Sequence, residues 1–163
     1  MRTFLKLAIT TCALCLGGQA LAVEDAGRTK VGKLEVTVYF ATDGDPTAAG
    51  ERAQEIAIEI RARLQSEEKL KFEHYRALGA ETAPIFRSYE NWAQPLKPSD
   101  EILVRFETRT QPAKDSVSLD LELWLARKKI LKTDAALRAG KPLYVLGPEW
   151  RGGRLIIAVA LAS

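Results

Sequence analysis

"KLEVTVYFATDGDPTAAGERAQEIAIEIRARLQS", Lys33 to Ser66, changes its period part-way along, and that change decides the fold class. Leu34, Val36, Val38 and Phe40 alternate with Glu35, Thr37, Tyr39 and Ala41. Successive side chains of a strand point to opposite faces, so an apolar residue at every second position marks a strand with one buried face. After Thr42 the spacing becomes helical. Ala49, Ala53, Ile56, Ala57, Ile60 and Leu64 fall on one stripe, with Glu51, Arg52, Glu55, Glu59, Arg61 and Arg63 on the wet sides. Asp45 is placed to cap this helix and Pro46 to occupy its first position. The expectation is one amphipathic helix from there to Leu64, lying across a sheet. Gly50 weakens its first turn by up to about 1 kcal/mol.

Downstream the chain reads almost entirely as strands. Phe72 to Leu78 is a short one. The following stretch, 79–100, holds three prolines, and within it Ile85 to Ala93 reads as an edge strand or an ordered loop. Clear alternation returns at Ile102–Phe106 and at Val117–Leu125, "ARKK" is a basic hairpin tip, and Ile130–Leu137 leads back. Leu143–Leu146 is short. Leu155–Leu161 is apolar on both faces, as a central strand covered on both sides would be. Between these two, "GPEWRGG" fits a hairpin loop of about five to seven residues. No repeat or linker divides the chain, so residues 33–163 form a single α+β domain. Its core is a mostly antiparallel β-sheet or sandwich of about seven strands, with one helix after the first strand.

The N-terminal residues, "MRTFLKLAITTCALCLGGQALA", combine Arg2 and Lys6, an apolar stretch from Leu7 to Leu16, and Ala20-Leu21-Ala22. These are the three parts of a secretory signal peptide, with cleavage expected after Ala22. The apolar stretch falls short of the about 20 residues that a membrane-spanning helix needs. Residues 1–22 are therefore assigned to the signal and residues 23–32, polar and without period, to a flexible lead-in. The protein is expected to be exported, periplasmic or secreted, with no membrane span after cleavage.

That cut changes the charge and the cysteine count. Taking 22 residues from 163, and Arg2 and Lys6 from 24 basic residues, leaves 141 residues with 22 basic against 21 acidic. A nearly neutral chain lacks the positive field of a nucleic-acid binder. Cys12 and Cys15 leave with the signal, so the mature chain carries no disulfide although its compartment would permit one.

Few chemistries survive inspection. His74 is the sole histidine, which removes zinc and copper sites built on nitrogen and sulfur ligands. No nucleophile motif accompanies it. Asp43 and Asp45 flank Gly44 as a calcium loop begins, but the sixth residue after Asp43 is Ala49, so they read as turn and cap. No glycine pattern matches a phosphate cradle. Asp120 and Glu122 share one face of a strand beside Trp124, an arrangement seen at glycosidase sites and equally on any polar strand face. No cofactor, metal or catalytic residue is assigned, and an enzyme is the less favoured class.

The tryptophans Trp92, Trp124 and Trp150 remain, with Tyr89 and Tyr144 near two of them. Tryptophan at a loop tip supplies rigid contact area and a donor. Trp150, Trp92, Tyr89 and Arg151 are accordingly the candidate ligand or partner contacts, whereas Trp124 is expected beneath the helix or against a second sheet. The leading expectation is a non-enzymatic exported binding or assembly module of the cell envelope with a protein partner, reached by edge-strand addition. Two alternatives stand beside it: a carbohydrate-binding module stacking a glycan on Trp150 and Trp92, and a small glycoside hydrolase using Asp120 and Glu122.

The stretches "VYFAT", "YRALG", "WAQPLKPSDEILVRF" and "GPEWRGGRLIIAVAL" together give the chain a pattern that resembles small exported bacterial proteins of uncharacterised function, over most of residues 33–162. The resemblance lies in strands and turns. It implies export and a common small domain, and carries no activity, cofactor or catalytic residue.

Overall fold

The computed structural model describes residues 25–110, 113 and 115–162. The expected signal segment, with Cys12 and Cys15, and the first two residues of the expected lead-in lie outside them. The opening alternation forms a strand longer than its apolar core, β1 (Lys30–Thr42). The stretch expected as a flexible lead-in is hydrogen-bonded from Asp25 onward. Asp25 caps a 3-10 turn (Ala26–Arg28), and the Arg87 and Ser88 amides donate to the carbonyls of Thr29 and Gly27 at 2.9 and 3.1 Å. Its backbone groups find partners in the 87–88 segment, which is why a polar, glycine-containing sequence is not left loose.

The expected long helix divides. Asp45 does cap a first turn with Pro46 at its start, but that turn is 3-10 and ends at Ala49. Gly50 follows at φ 94°, in the left-handed region that breaks a helix. The chain then runs extended, and Gln54 makes an isolated bridge to Ala77, their amides and carbonyls exchanging bonds of 2.9 and 2.8 Å. Only Ile58–Ser66 is α-helical (α1). The periodic stripe holds only in part: Ala49, Ile56 and Leu64 are buried, while Ala57 is exposed. An available sheet edge outcompeted helix propensity at Gln54.

Seven further strands follow: β2 (His74–Phe86), β3 (Asn91–Ala93), β4 (Ile102–Thr108), β5 (Ser116–Leu125), β6 (Lys128–Arg138), β7 (Leu143–Trp150) and β8 (Gly153–Leu161). The count is eight because the ambiguous 85–93 stretch ends β2 and then supplies the short β3. The expected loop "GPEWRGG" belongs mostly to β7, which passes through an irregularity at Gly147-Pro148 and turns only at Arg151-Gly152. Arg151 and Gly152 have φ of 46° and 76°. Two successive left-handed residues make the tight hairpin whose twist matches paired strands.

The strands form two antiparallel four-stranded sheets, ordered β2-β1-β8-β7 and β3-β4-β5-β6. Their inner faces pack together. Leu34, Val36 and Val38 of β1 and Leu155, Ile157 and Val159 of β8 meet Val104 and Phe106 of β4 and Leu119, Leu121 and Leu123 of β5. Each such side chain, fully buried, is worth about 1.5–3 kcal/mol. The outer face of the first sheet is partly roofed by α1, whose Leu64 sits with Tyr39, Tyr75, Ile156 and Ala158. This explains why Leu155–Val159 is buried at five successive positions: β8 is central, with the sandwich core on one face and the helix on the other. Among the described residues, no helix is long and apolar enough to cross a membrane.

Three of the four sheet edges are protected. Beside β2 lies the Gln54 bridge, and Asn91 donates from its side chain to the Pro84 carbonyl at 2.9 Å. β3 is three residues long. β7 is interrupted by Gly147-Pro148, where proline lacks a donor. β6 differs: it is eleven residues long, and between a bulge at Ile130 and the Arg138–Lys141 bridge its residues Leu131–Leu137 neighbour only β5 among the described residues.

Candidate functional site

Register brings the polar residues of the second sheet into rows on its outer face. Glu107 of β4 lies opposite Asp120 of β5, which lies opposite Asp134 of β6. The next row runs Trp92, Arg105, Glu122, Lys132, and the third Leu103, Trp124, Lys129. Like charges directly opposite one another repel, so a row of three carboxylates needs cations beside it. They are present. Arg105 reaches Glu90 at 2.5 Å and Glu107 at 2.9 Å, and its other terminal nitrogen lies 3.7 Å from Asp120 and 3.9 Å from Glu122. Lys132 Nζ sits between Asp120 and Glu122 at 3.2 and 3.4 Å. Arg109 spans Asp120 and Asp134, and Lys129 reaches Glu122 at 2.9 Å.

These long basic side chains bury the two central carboxylates. Asp120 is 6% exposed and Glu122 4%, although both sit on the outward face. The Lys129 ammonium, with further donors from Trp124 Nε1 at 3.1 Å and from Lys132, holds Glu122 down from 4.5 to about 2, against the opposing effect of burial. Oδ1 of Asp120 is buried with no hydrogen-bond partner, although its other oxygen is surrounded by cations.

Chemically, Glu122 is not held as a catalytic acid would be. A glycosidase acid needs a carboxyl kept protonated near neutral pH by an apolar setting. Glu122 is held in the opposite sense.

The four expected contact residues fall at three places, with Trp150 and Arg151 together. Trp92 is 39% exposed and stands next to Trp124, ring centroids 5.8 Å apart at 55°. Trp124 thus lies on the outer face of the second sheet, with Lys129 5.3 Å over its ring, and neither beneath the helix nor against the other sheet, the two places expected; α1 packs on the other sheet. Trp150, half-buried, packs edge-on against Phe40 at 5.7 Å, donates to Glu101 at 3.1 Å and carries the Arg151 guanidinium 4.3 Å above its ring. Trp150 and Arg151 line a groove of about 550 Å³ with Thr42, Asp43, Phe72 and Arg154. Tyr89 donates to Asp25 at 2.6 Å beneath Arg28, and so anchors the N-terminal segment. Asp43 accepts from the Glu73 amide and Asp45 from Thr47, turn and cap as expected. His74 opens β2 opposite Thr42.

Sequence reasoning missed Arg105, Arg109, Lys129 and Lys132. A signal was available, because the outward positions of β4 and β6 pair a base with an acid, Arg105 with Glu107 and Lys132 with Asp134, while β5 between them carries the acids Asp120 and Glu122. Only the register shows that they meet. Among the described residues, no group of three or more His, Cys, Asp or Glu side chains is arranged to hold a metal ion. No protein-family model matches the chain, and no characterised protein or solved structure is significantly similar to it.

Proposed function

We propose that the protein is a non-enzymatic, exported binding or assembly module of the cell envelope, which takes an extended protein segment along the edge of β6. The observation that carries this reading is the contrast among the edges: three are covered, short or interrupted, whereas β6, between its bulge at Ile130 and the Arg138–Lys141 bridge, leaves the seven residues Leu131–Leu137 open among the described residues. Alternate residues of an edge strand turn their N–H and C=O groups away from the sheet, a ready template for another strand. The exposed Ile130 lies on β6 itself and adds apolar contact area. A glycan platform draws less support, because the adjacent tryptophans are tilted and not coplanar. A hydrolase that used Glu122 as its acid also draws less, because that carboxyl is held ionised.

The test is photo-cross-linking in the cell envelope, with the photoreactive residue at Ala136 on β6 or, as control, at Thr82 on the first sheet, both exposed. A discrete adduct from Ala136 alone supports the reading. No adduct, or the same adducts from both positions, overturns it.

A further inference from the structure

We infer that the segment received by β6 is the β6 of a second copy, paired antiparallel about a two-fold axis through Thr133. This rests on the preceding reading in one respect, that the β6 edge is a pairing edge, and goes beyond it by naming the occupant.

The argument is charge register. In an antiparallel pair of identical strands, residues equally spaced on either side of the centre face each other. A self-complementary strand must therefore carry opposite charges at mirror positions. Lys132-Thr133-Asp134 does so about Thr133. Centred there, Lys132 faces Asp134 of the second copy, and Asp134 faces its Lys132. On the core-facing side Leu131 faces Ala135, and the two Thr133 residues meet on the axis. Shifting the centre by one residue either way places Lys132 opposite Lys132 or Asp134 opposite Asp134, both repulsive. The same-face rule admits only whole-residue centres; a centre at Ala136 would also set Asp134 opposite an arginine, Arg138, but the edge of Arg138 is already taken by its bridge to Lys141, so the centre at Thr133 is the one on the open part of β6.

The outer face supplies the second half of the argument. The row Glu107, Asp120, Asp134 ends at the β6 edge with an acid that is open to solvent, its side chain 77% exposed. Continued across the axis, that row meets Lys132, Glu122 and Arg105 of the second copy. The acidic end of one sheet runs into the mixed, base-containing row of the other. The bulge at Ile130 then limits the pairing, since there the ladder with β5 slips by one residue. Paired residues extend from Leu131 to Ala135, which keeps Lys128 away from Arg138 of the second copy. The product is one eight-stranded sheet, ordered β3-β4-β5-β6-β6-β5-β4-β3, with its exposed tryptophans at the two far ends.

Sedimentation equilibrium on the purified exported protein measures the mass, and a twofold increase over the micromolar range is expected. Asp134→Lys replaces both attractive pairs by Lys–Lys contacts and should weaken association by about tenfold or more. Urea unfolding of the variant shows whether its fold persists. The register is tested by Thr133→Cys. After loss of the first 22 residues this is the only cysteine, and facing strand residues lie about 4.5–5.5 Å apart at Cα, within disulfide range. Oxidation should give a covalent dimer at Thr133→Cys and little at Ala136→Cys. A dimer that does not cross-link through position 133, or that survives Asp134→Lys undiminished, overturns the inference. A monomer whose Ala136 photoadduct contains another protein overturns it and leaves the binding reading standing. A monomer without an adduct removes both.

Discussion

Replacing Arg105 with methionine should destabilise the protein more than loss of an exposed charge ordinarily does. The side chain is 16% exposed, and four carboxylates converge on it. Two of these, on Glu90 and Glu107, are 51% and 38% exposed, so each contributes about 0–1 kcal/mol. Asp120 and Glu122 differ, because both are buried; Asp120 is the nearer, at 3.7 Å. At that distance, and at the effective screening of a protein surface, the gross attraction is about 4 kcal/mol. Lys132 and Arg109 also face Asp120 and retain part of that compensation when Arg105 is lost. The expected net loss for Arg105→Met is therefore about 2–3 kcal/mol, below the roughly 3–5 that follows removal of one partner from a fully buried pair. Urea unfolding at neutral pH measures it through the midpoint at constant slope. In an Asp120→Asn background the same substitution should cost at least about 1 kcal/mol less, because the carboxylate it strands is gone. A loss below about 1 kcal/mol in the parent, or an undiminished loss when Asp120→Asn is already present, would show that these groups behave as ordinary solvated charges and that burial of Asp120 does not depend on Arg105.

Other expectations test other layers. Leu64→Ala removes the fully buried contact of α1 with the first sheet and should cost about 2–5 kcal/mol, whereas Ile58→Ala, at 80% exposed on the same helix, should stay within about 0.5; thermal unfolding of the pair compares them. Gly153→Ala would set a methyl group 2.5 Å from the Ala41 carbonyl oxygen and from the Phe40 ring, and should cost about 1–3 kcal/mol by overpacking, read from the urea midpoint. Glu122 titrates near 2 in the folded protein against 4.5 ordinarily, so its contribution to stability is complete above about pH 4.5 and is lost as pH falls toward 2. Melting curves should accordingly show Glu122→Gln less stable than the parent at pH 6, with the gap closing between pH 4.5 and 2; a gap independent of pH would rule out the ion pairing.

The residues explain why strands were more legible than the helix. Val117–Leu125 alternates without interruption because β5 is an inner strand with one face on the core, and period 2 is then enforced by burial. At Ala49–Leu64 a helical stripe was present, but Gly50 and the pairing of Gln54 with Ala77 depend on β2, twenty-three residues further along the chain. Nothing local announces that competition. The same holds for the outer face of the second sheet. Asp120 and Glu122 were visible as a pair on one strand face, yet their burial depends on Arg105 and Lys132 lying opposite them. The tight Arg151-Gly152 turn was hidden for a different reason. The Pro148 of β7 resembles loop sequence, although it sits at an irregularity on an edge, where its missing N–H costs nothing to the ladder.

Where the chain departs from the usual rules, the departures gather on one pair of strands. Local preference and final structure agree along β1 and β8, with apolar residues on covered faces. Along β5 and β6 three things disagree: acids face acids across the strands, Asp120 Oδ1 is buried without a partner, and among the described residues the edge from Leu131 to Leu137 is left uncovered. Each costs stability in an isolated chain, and none is required to close the sandwich, whose core is made by the opposite face of the same strands. Local conflicts that the fold does not need are expected where a sequence answers to something besides folding. A second strand on β6 would act on two of the three, pairing the edge and setting a cation at the end of the acidic row. The orphaned oxygen of Asp120 is not on that edge. The other oxygen of that carboxylate instead draws Arg105, Arg109 and Lys132 together, and Lys132 is the group that the pairing would present to Asp134 of the second copy.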